Sequence, residues 1–272
     1  MQNRVIDGKV VVANSVTKIG SECNGRIIIG ASHGAIYAAY LAVKAGARGI
    51  ILNDAGFAKD NSGVSGANYC QELGVPYGAA DTLSCCIGDG ESVAQDGIIS
   101  FVNLEAERLG VKIGMSVIEA AFKFCDAKIS KLPIPEYSES RKELIGRAGE
   151  RVVVLVDSAS LVQDNDRGRI VVAGSHGGMP GLGSNSALRC EAFAGFFHDA
   201  GQGKDDAGLT RLEPLNTRGI IAGTVDCMSA RIGDAKSIYG DGILSNINEL
   251  AAKFGGDVGM PLKKFIDALI YK

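Results

Sequence analysis

Four short apolar runs recur in the same order in each half of the chain. KVVVA, RIIIG, GIILND and GAADTLS in the first half answer to RVVVLV, RIVVAG, AGFFHD and AGTVDCMS in the second. Near-continuous apolar runs of this length, rich in β-branched residues, predict strands buried on both faces. Between the second and third runs of the first half, HGAIYAAYLAVKAGARG has Ala-rich helical spacing. IISFVNLEAERLG and ILSNINELAAKFG also have a helical period and close on a glycine suited to a helix C-terminus. Strand and helix in alternation predict parallel α/β layers.

The halves are also alike residue by residue. Positions 53–110 align without a gap on 198–255 with 21 of 58 identical, and NGRIIIGASHG aligns upstream on RGRIVVAGSHG with Ser15 opposite Ser158. A repeat of this length means two copies of one folding unit. The expected fold is therefore α/β, internally duplicated and pseudo-twofold, with about four mainly parallel strands and flanking helices in each half. Residues 1–125 are the first α/β repeat and 151–272 the second. The intervening 126–150, broken by Pro133 and Pro135 and with 10 of 25 residues charged, reads as a linker with a short helix.

Composition narrows the classes. Of 272 residues 46% are apolar and 22% charged, an ordinary globular composition. With 28 basic against 31 acidic residues the net charge is −3, which gives a nucleic-acid surface no support. No apolar stretch reaches membrane-spanning length and the N-terminus lacks a signal-like apolar core, so a cytoplasmic protein is expected. Seven cysteines, an odd number without a C-x-x-C pair, read as reduced and mostly buried thiols. No metal and no cofactor is expected, because H-E-x-x-H, H-x-x-x-H, G-x-G-x-x-G and P-loop spacings are all missing.

Ligands of parallel α/β sheets bind beyond the carboxyl ends of the strands. The polar residues there are repeated: Ser15 against Asp157 and Ser158, Ser32-His33 against Ser175-His176, Asn53-Asp54 against His198-Asp199, and Asp81 with Ser84 against Asp226 with Ser229. Gly30-Ala31-Ser32-His33-Gly34 has the G-x-S-x-G form of a nucleophile elbow. Only one strand-like run precedes it, however, and the second copy has Ala173 at its first position, so the α/β-hydrolase family is not assigned. GSHG at 174–177 resembles, over those residues, the nucleotide loop of universal stress proteins. The shared S-H-G at a helix start would favour an anion through backbone amides.

Ser32, His33, Ser175, His176 and His198 are accordingly the candidate catalytic residues, with the second copy expected to be the working one. Lys59, Lys204 and Arg231 are the candidate cations for an anionic group, with Asp54, Asp199, Ser229 and Asp234 beside them. The plainer alternative is that the strand-end Ser, His and Asp hold glycine-rich turns, and that Lys-Asp opens a helix. The expected function is an enzyme acting on a small polar, anionic metabolite at a site between the repeats, with hydrolysis of an amide or ester the first guess. A lyase or isomerase with His as proton carrier, and a nucleotide- or metabolite-binding sensor, are the alternatives. A homo-oligomer is a further expectation.

Overall fold

The computed structural model describes residues 3–180 and 187–272, in two compact units. Unit 1 gathers the described residues up to Phe57, Asn61–Ser138 and Gln202–Asp205; unit 2 gathers those of Ala58–Asp60, Glu139–Gly201 and Asp206–Lys272.

In unit 1 the chain runs β1 (Arg4–Ile6), β2 (Val10–Ala13), β3 (Ile27–His33), α1 (Ile36–Lys44), β4 (Gly49–Asn53), α2 (Gly66–Glu72), β5 (Tyr77–Ala80), α3 (Gly90–Asp96), β6 (Ile99–Val102), α4 (Leu104–Arg108) and α5 (Val117–Phe124). The six strands form one sheet in sequence order, with β2 to β5 parallel and β1 and β6 antiparallel at the edges. Alternate side chains of the apolar runs serve opposite faces. Val11, Ile28, Ile50 and Leu52 pack with α1 and α2, whereas Val10, Val12, Ile27, Ile29 and Ile51 pack with α3 and α5. This two-sided burial is why the runs carry no polar alternation.

Unit 2 repeats the plan with β7 (Arg141–Leu144), β8 (Val153–Val156), β9 (Ile170–His176), β10 (Ala194–His198), α6 (Leu212–Thr217), β11 (Ile221–Val225), α7 (Ala235–Asp241), β12 (Leu244–Ile247), α8 (Glu249–Lys253) and α9 (Leu262–Leu269). Its sheet also has six strands in sequence order, the inner four parallel and the edges antiparallel. Asn103 and Asn248 show how the repeated polar residues build the frame. Each caps the helix that follows, α4 or α8, by accepting from the backbone amide three residues on, and its side-chain amide also bonds two backbone groups at the start of β5 or β11.

Three expectations change. The segment read as a linker carries β7, which is polar because it is an edge strand: Arg141 holds Asp166 with two bonds of 3.0 and 2.8 Å, and Glu143 meets Arg169. Ile99–Val102 and Leu244–Ile247, read as the starts of helices, are the edge strands β6 and β12. Among the described residues no counterpart of α1 lies between β9 and β10; Ala187, Leu188, Cys190 and Ala192 cover that face instead. One aligned exchange accompanies the difference. A Cβ on Gly66 would lie 2.7 Å from Ala39 of α1, so the close approach of α1 there requires glycine. At the same place unit 2 has buried Arg211, which donates Nε to the carbonyls of His176 and Gly178 at 3.2 and 3.0 Å and Nη1 to that of Ala187. Burial pushes this guanidinium down to about 10.

No helix among the described residues is long and apolar enough to cross a membrane.

Candidate functional site

The carboxyl ends of the parallel strands hold the expected polar residues, and most of them are engaged with the backbone. Ser32 and Ser175 lie on β3 and β9, with no positive φ of the kind a strained elbow requires. Their hydroxyls accept from the amides of Val16 (3.1 Å) and Ala159 (2.9 Å), and so fix the turns that follow β2 and β8. His33 and His176 accept at Nδ1 from the amides of Ala35 (3.4 Å) and Gly178 (3.1 Å). An imidazole that accepts at Nδ1 carries its proton at Nε2 when neutral, so each ring presents a donor rather than a basic nitrogen. The next amides are also taken: Gly34 donates to Asn53 at 2.8 Å and Gly177 to His198 at 2.7 Å. The glycine amide of each S-H-G and the amide of the residue after it are thus used internally.

The glycine of S-H-G has a packing reason. A Cβ on Gly34 would lie 2.0 Å from the Tyr77 hydroxyl and 2.6 Å from the Gly63 carbonyl; on Gly177 it would lie 2.4 Å from the Gly208 carbonyl. The loop after β4 or β10 therefore comes backbone to backbone with S-H-G. The glycine-rich stretch of the second copy continues into 181–186, which lie outside the described residues.

Those loops have an unusual backbone. Ala55, Gly56, Phe57 and Ala58 have φ of 51°, 70°, 63° and 58°, and Ala200, Gly201, Gln202 and Gly203 have 53°, 71°, 63° and 75°. A run of left-handed residues costs about 1–2 kcal/mol for each that is not glycine, so something must hold it. The strand-end pair does this in both units. Asn53 accepts from Ala55 and Asp54 from Gly56; His198 accepts from Ala200 and Asp199 from Gly201, all at 2.8–3.0 Å.

Asp54 and Asp199 are more than turn residues. Asp54 also accepts from Ser100 (2.7 Å) and Thr82 (3.0 Å), and Asp199 from the matching Ser245 and Cys227. Burial raises both carboxyls, Asp199 to about 6. His198 is fully buried, with Nε2 3.1 Å from the Ala230 carbonyl, and burial lowers it to about 4. In the first copy Asn53 reaches Cys85 Sγ at 3.6 Å instead. Asn with Cys and His with Ala are thus alternative fillings of one buried place.

The expected substrate cations hold carboxylates of the protein. In unit 1 Lys204 donates Nζ to Asp96 at 2.9 Å and its amide to the Thr82 carbonyl. In unit 2 Lys59 donates to Asp241 at 3.1 Å and to the Cys227 carbonyl. Arg231 bonds Asp234 through Nε and Nη2 and Asp60 through Nη1. Asp234 caps α7, as Asp89 caps α3. Ser229 donates to the Asp226 carbonyl and accepts from Ile243, a pattern Ser84 repeats. The Lys-Asp pairs open the 3-10 turns Lys59–Val64 and Lys204–Leu209, the structural alternative weighed for them.

One connected polar set of unit 2 includes a side chain the sequence reading missed. At the end of β8, Asp157 accepts from Ser140 (2.7 Å) and from Ala235 at the start of α7 (3.1 Å). Ser158 and Ser160 hydroxyls lie 2.8 Å apart, next to the Ala159 amide that Ser175 holds. Glu139, from the segment read as a linker, has its carboxyl near Ser158 and Asp157. Burial, and then the Asp157 charge, push Glu139 up to about 7. Unit 1 has the neutral Asn14 where Asp157 stands.

Among the described residues no group of His, Cys, Asp and Glu is arranged to hold a metal, and all seven cysteines are free thiols. Comparison with family models, curated proteins and solved structures found no match for this chain.

Proposed function

We propose that this chain is an enzyme that hydrolyses an ester or amide of a small polar molecule, at the carboxyl ends of β8 and β9 in unit 2. The observation that carries the reading is the joined set of Asp157, Ser158, Ser160 and Ser175, with Glu139 behind it, where parallel α/β sheets take their ligands. Hydroxyl nucleophiles next to a carboxyl that titrates near neutrality suit acyl transfer. The second copy is again the working one, on different residues: the proton carrier is a carboxyl rather than an imidazole, and Ser175 positions the turn. With Lys59, Lys204 and Arg231 paired internally, support for an anionic substrate is lost and a polar one remains.

The test is a panel of small carboxylic esters and amides offered to the full chain, with thermal shift read in parallel and hydroxylamine added to intercept an acyl-enzyme. Saturable hydrolysis with a hydroxamate product is the expected outcome. Saturable binding without turnover would make the protein a binding module, and neither binding nor turnover across the panel would reject the reading.

A further inference from the structure

Tyr37, Tyr40, Tyr69 and Tyr137 meet on one face of unit 1, around the chain's own proline segment. Tyr37, Tyr40 and Lys44 belong to α1 and Tyr69 to α2, while Tyr137 comes from the stretch read as a linker. Pro133 and Pro135 have a locked φ, and Leu132 and Ile134 before them are pushed to extended backbone, so this stretch is stiff before it touches anything. Hydrogen bonds then seat it. Tyr69 Oη donates to the Pro135 carbonyl at 3.2 Å, and Tyr40 Oη donates to Glu136 Oε2 at 2.9 Å. Lys44 Nζ donates to Tyr40 Oη at 2.7 Å and stands 3.7 Å from Glu136 Oε1.

Holding Pro135 and Glu136 delivers the next residue, Tyr137, to Tyr37. The two ring centroids lie 6.5 Å apart with planes at 46°. Behind them Tyr40 packs at 5.7 Å from Tyr37 and edge-on to Tyr69 at 6.3 Å, which fixes the inner ring of the pair. Burial divides the four. Tyr40 and Tyr69 are 3% and 9% exposed and their hydroxyls are engaged, whereas Tyr37 is half-buried and Tyr137 is 45% exposed. Of the four, the two rings open to a reagent are the two that stand side by side.

We propose that Tyr37 and Tyr137 form an oxidative modification site, joined as a dityrosine by hydrogen peroxide acting through a haem peroxidase. Each phenol gives up one electron and its hydroxyl proton. The two phenoxyl radicals join by a carbon–carbon bond between the ring positions next to the oxygens, and the hydrogens displaced there move to the oxygens and restore both phenols. One peroxide takes up the two electrons and two protons and leaves as two waters. Tyr40 and Tyr69 are positioning residues, holding the segment by its Pro135 carbonyl and Glu136 carboxylate.

The bond closes a loop from position 37 to position 137 and makes a hydrogen-bonded seat covalent. Cross-linking across so long a loop restricts the unfolded chain most, so the joined form resists unfolding. The site is single. Among the described residues unit 2 has no counterpart of α1, and Pro214 stands where unit 1 has Tyr69. None of the residues of the hydrolytic reading takes part, and the two stand or fall separately.

The test treats the dilute full chain with hydrogen peroxide and a haem peroxidase, reads dityrosine fluorescence, and maps the joined peptides by mass spectrometry on the monomer-sized product. The expected product lacks two hydrogens, joins Tyr37 to Tyr137, and unfolds at a higher urea concentration than the untreated chain. Tyr37→Phe and Tyr137→Phe should each lose the cross-link with circular dichroism unchanged. Tyr69→Phe, which frees the Pro135 carbonyl, should lower its yield while keeping both reacting phenols. Tyr271 is 70% exposed and serves as the control for exposure alone; Tyr271→Phe should leave the product as it is. Cross-links confined to Tyr271 and to products larger than one chain, an intrachain link to Tyr40 in place of Tyr37, or an undiminished signal in Tyr137→Phe would overturn the proposal.

Discussion

The buried His198 gives a quantitative test of how the strand-end residues work. Its imidazole is held at about 4 by burial against an ordinary 6.5. A lowered value means that the unfolded chain binds the proton more tightly, so the stability this residue preserves is complete above pH 6.5 and is lost as pH falls towards 4. At about 1.4 kcal/mol per pH unit the loss amounts to about 3 kcal/mol. The adjacent Asp199, raised to about 6, has the opposite sign: its contribution is complete below 3.8 and is lost as pH rises through 6. The two cancel over most of the range between, and wild type hides both. His198→Asn installs the residue that the first copy carries at this place and removes one of the two. Urea unfolding at pH 7 and pH 4 is the assay. The variant is expected to be less stable at pH 7, having lost the bond to the Ala230 carbonyl and some packing, and to gain about 3 kcal/mol on wild type between pH 7 and pH 4. Adding Ala230→Cys recreates the Asn53–Cys85 pairing and should recover stability at pH 7 without restoring the pH dependence. A difference between wild type and variant that is the same at both pH values would refute the reasoning.

Other perturbations test neighbouring parts. Asp199→Asn should show the reverse sign, gaining on wild type as pH rises from 4 to 6 in the same assay. Gly34→Ala forces a methyl into the Tyr77 hydroxyl and the Gly63 carbonyl, and should cost about 2–3 kcal/mol in chemical denaturation. Gln202→Gly relieves an exposed left-handed residue and should stabilise by about 1 kcal/mol, read as a raised Tm. Asp166→Asn leaves the Arg141 clamp of β7 without its anion; a loss of about 3 kcal/mol, with faster amide exchange in Arg141–Leu144, is expected.

The inner strands β2 to β5 and β8 to β11 were legible because burial on both faces leaves unbroken apolar runs, and the duplication was legible because it preserved registers of polar residues. The edge strands were not. RKEL of β7 faces solvent and reads as a charged connector, while ISFV of β6 runs into the capped helix at Asn103, so the two share one apparent period. For the candidate site, the repeat marked the strand ends where the polar residues stand, and the S-x-S of 158–160 sits opposite S-x-T of 15–17. What those residues bond was not visible. Lys204 meets Asp96 at a separation of 108 residues and Lys59 meets Asp241 at 182, although all four are identical between the copies, a cue that they belong together. Glu139 lay in a stretch whose proline and charge signalled a linker, and its place beside Ser158 follows from β7 pairing with β8.

The central proposal places the hydrolytic chemistry at the hydroxyls and carboxyl at the end of β8, while the S-H-G serines and histidines hold the loops. It is tested most directly by acid-quenching wild type during turnover of an ester that it hydrolyses, and locating the acyl group by peptide mass spectrometry. The account predicts the acyl group on Ser158 or Ser160 and its absence from the Ser158→Ala, Ser160→Ala double variant. An acyl group on Ser32 or Ser175, or turnover undiminished in that double variant, would contradict it.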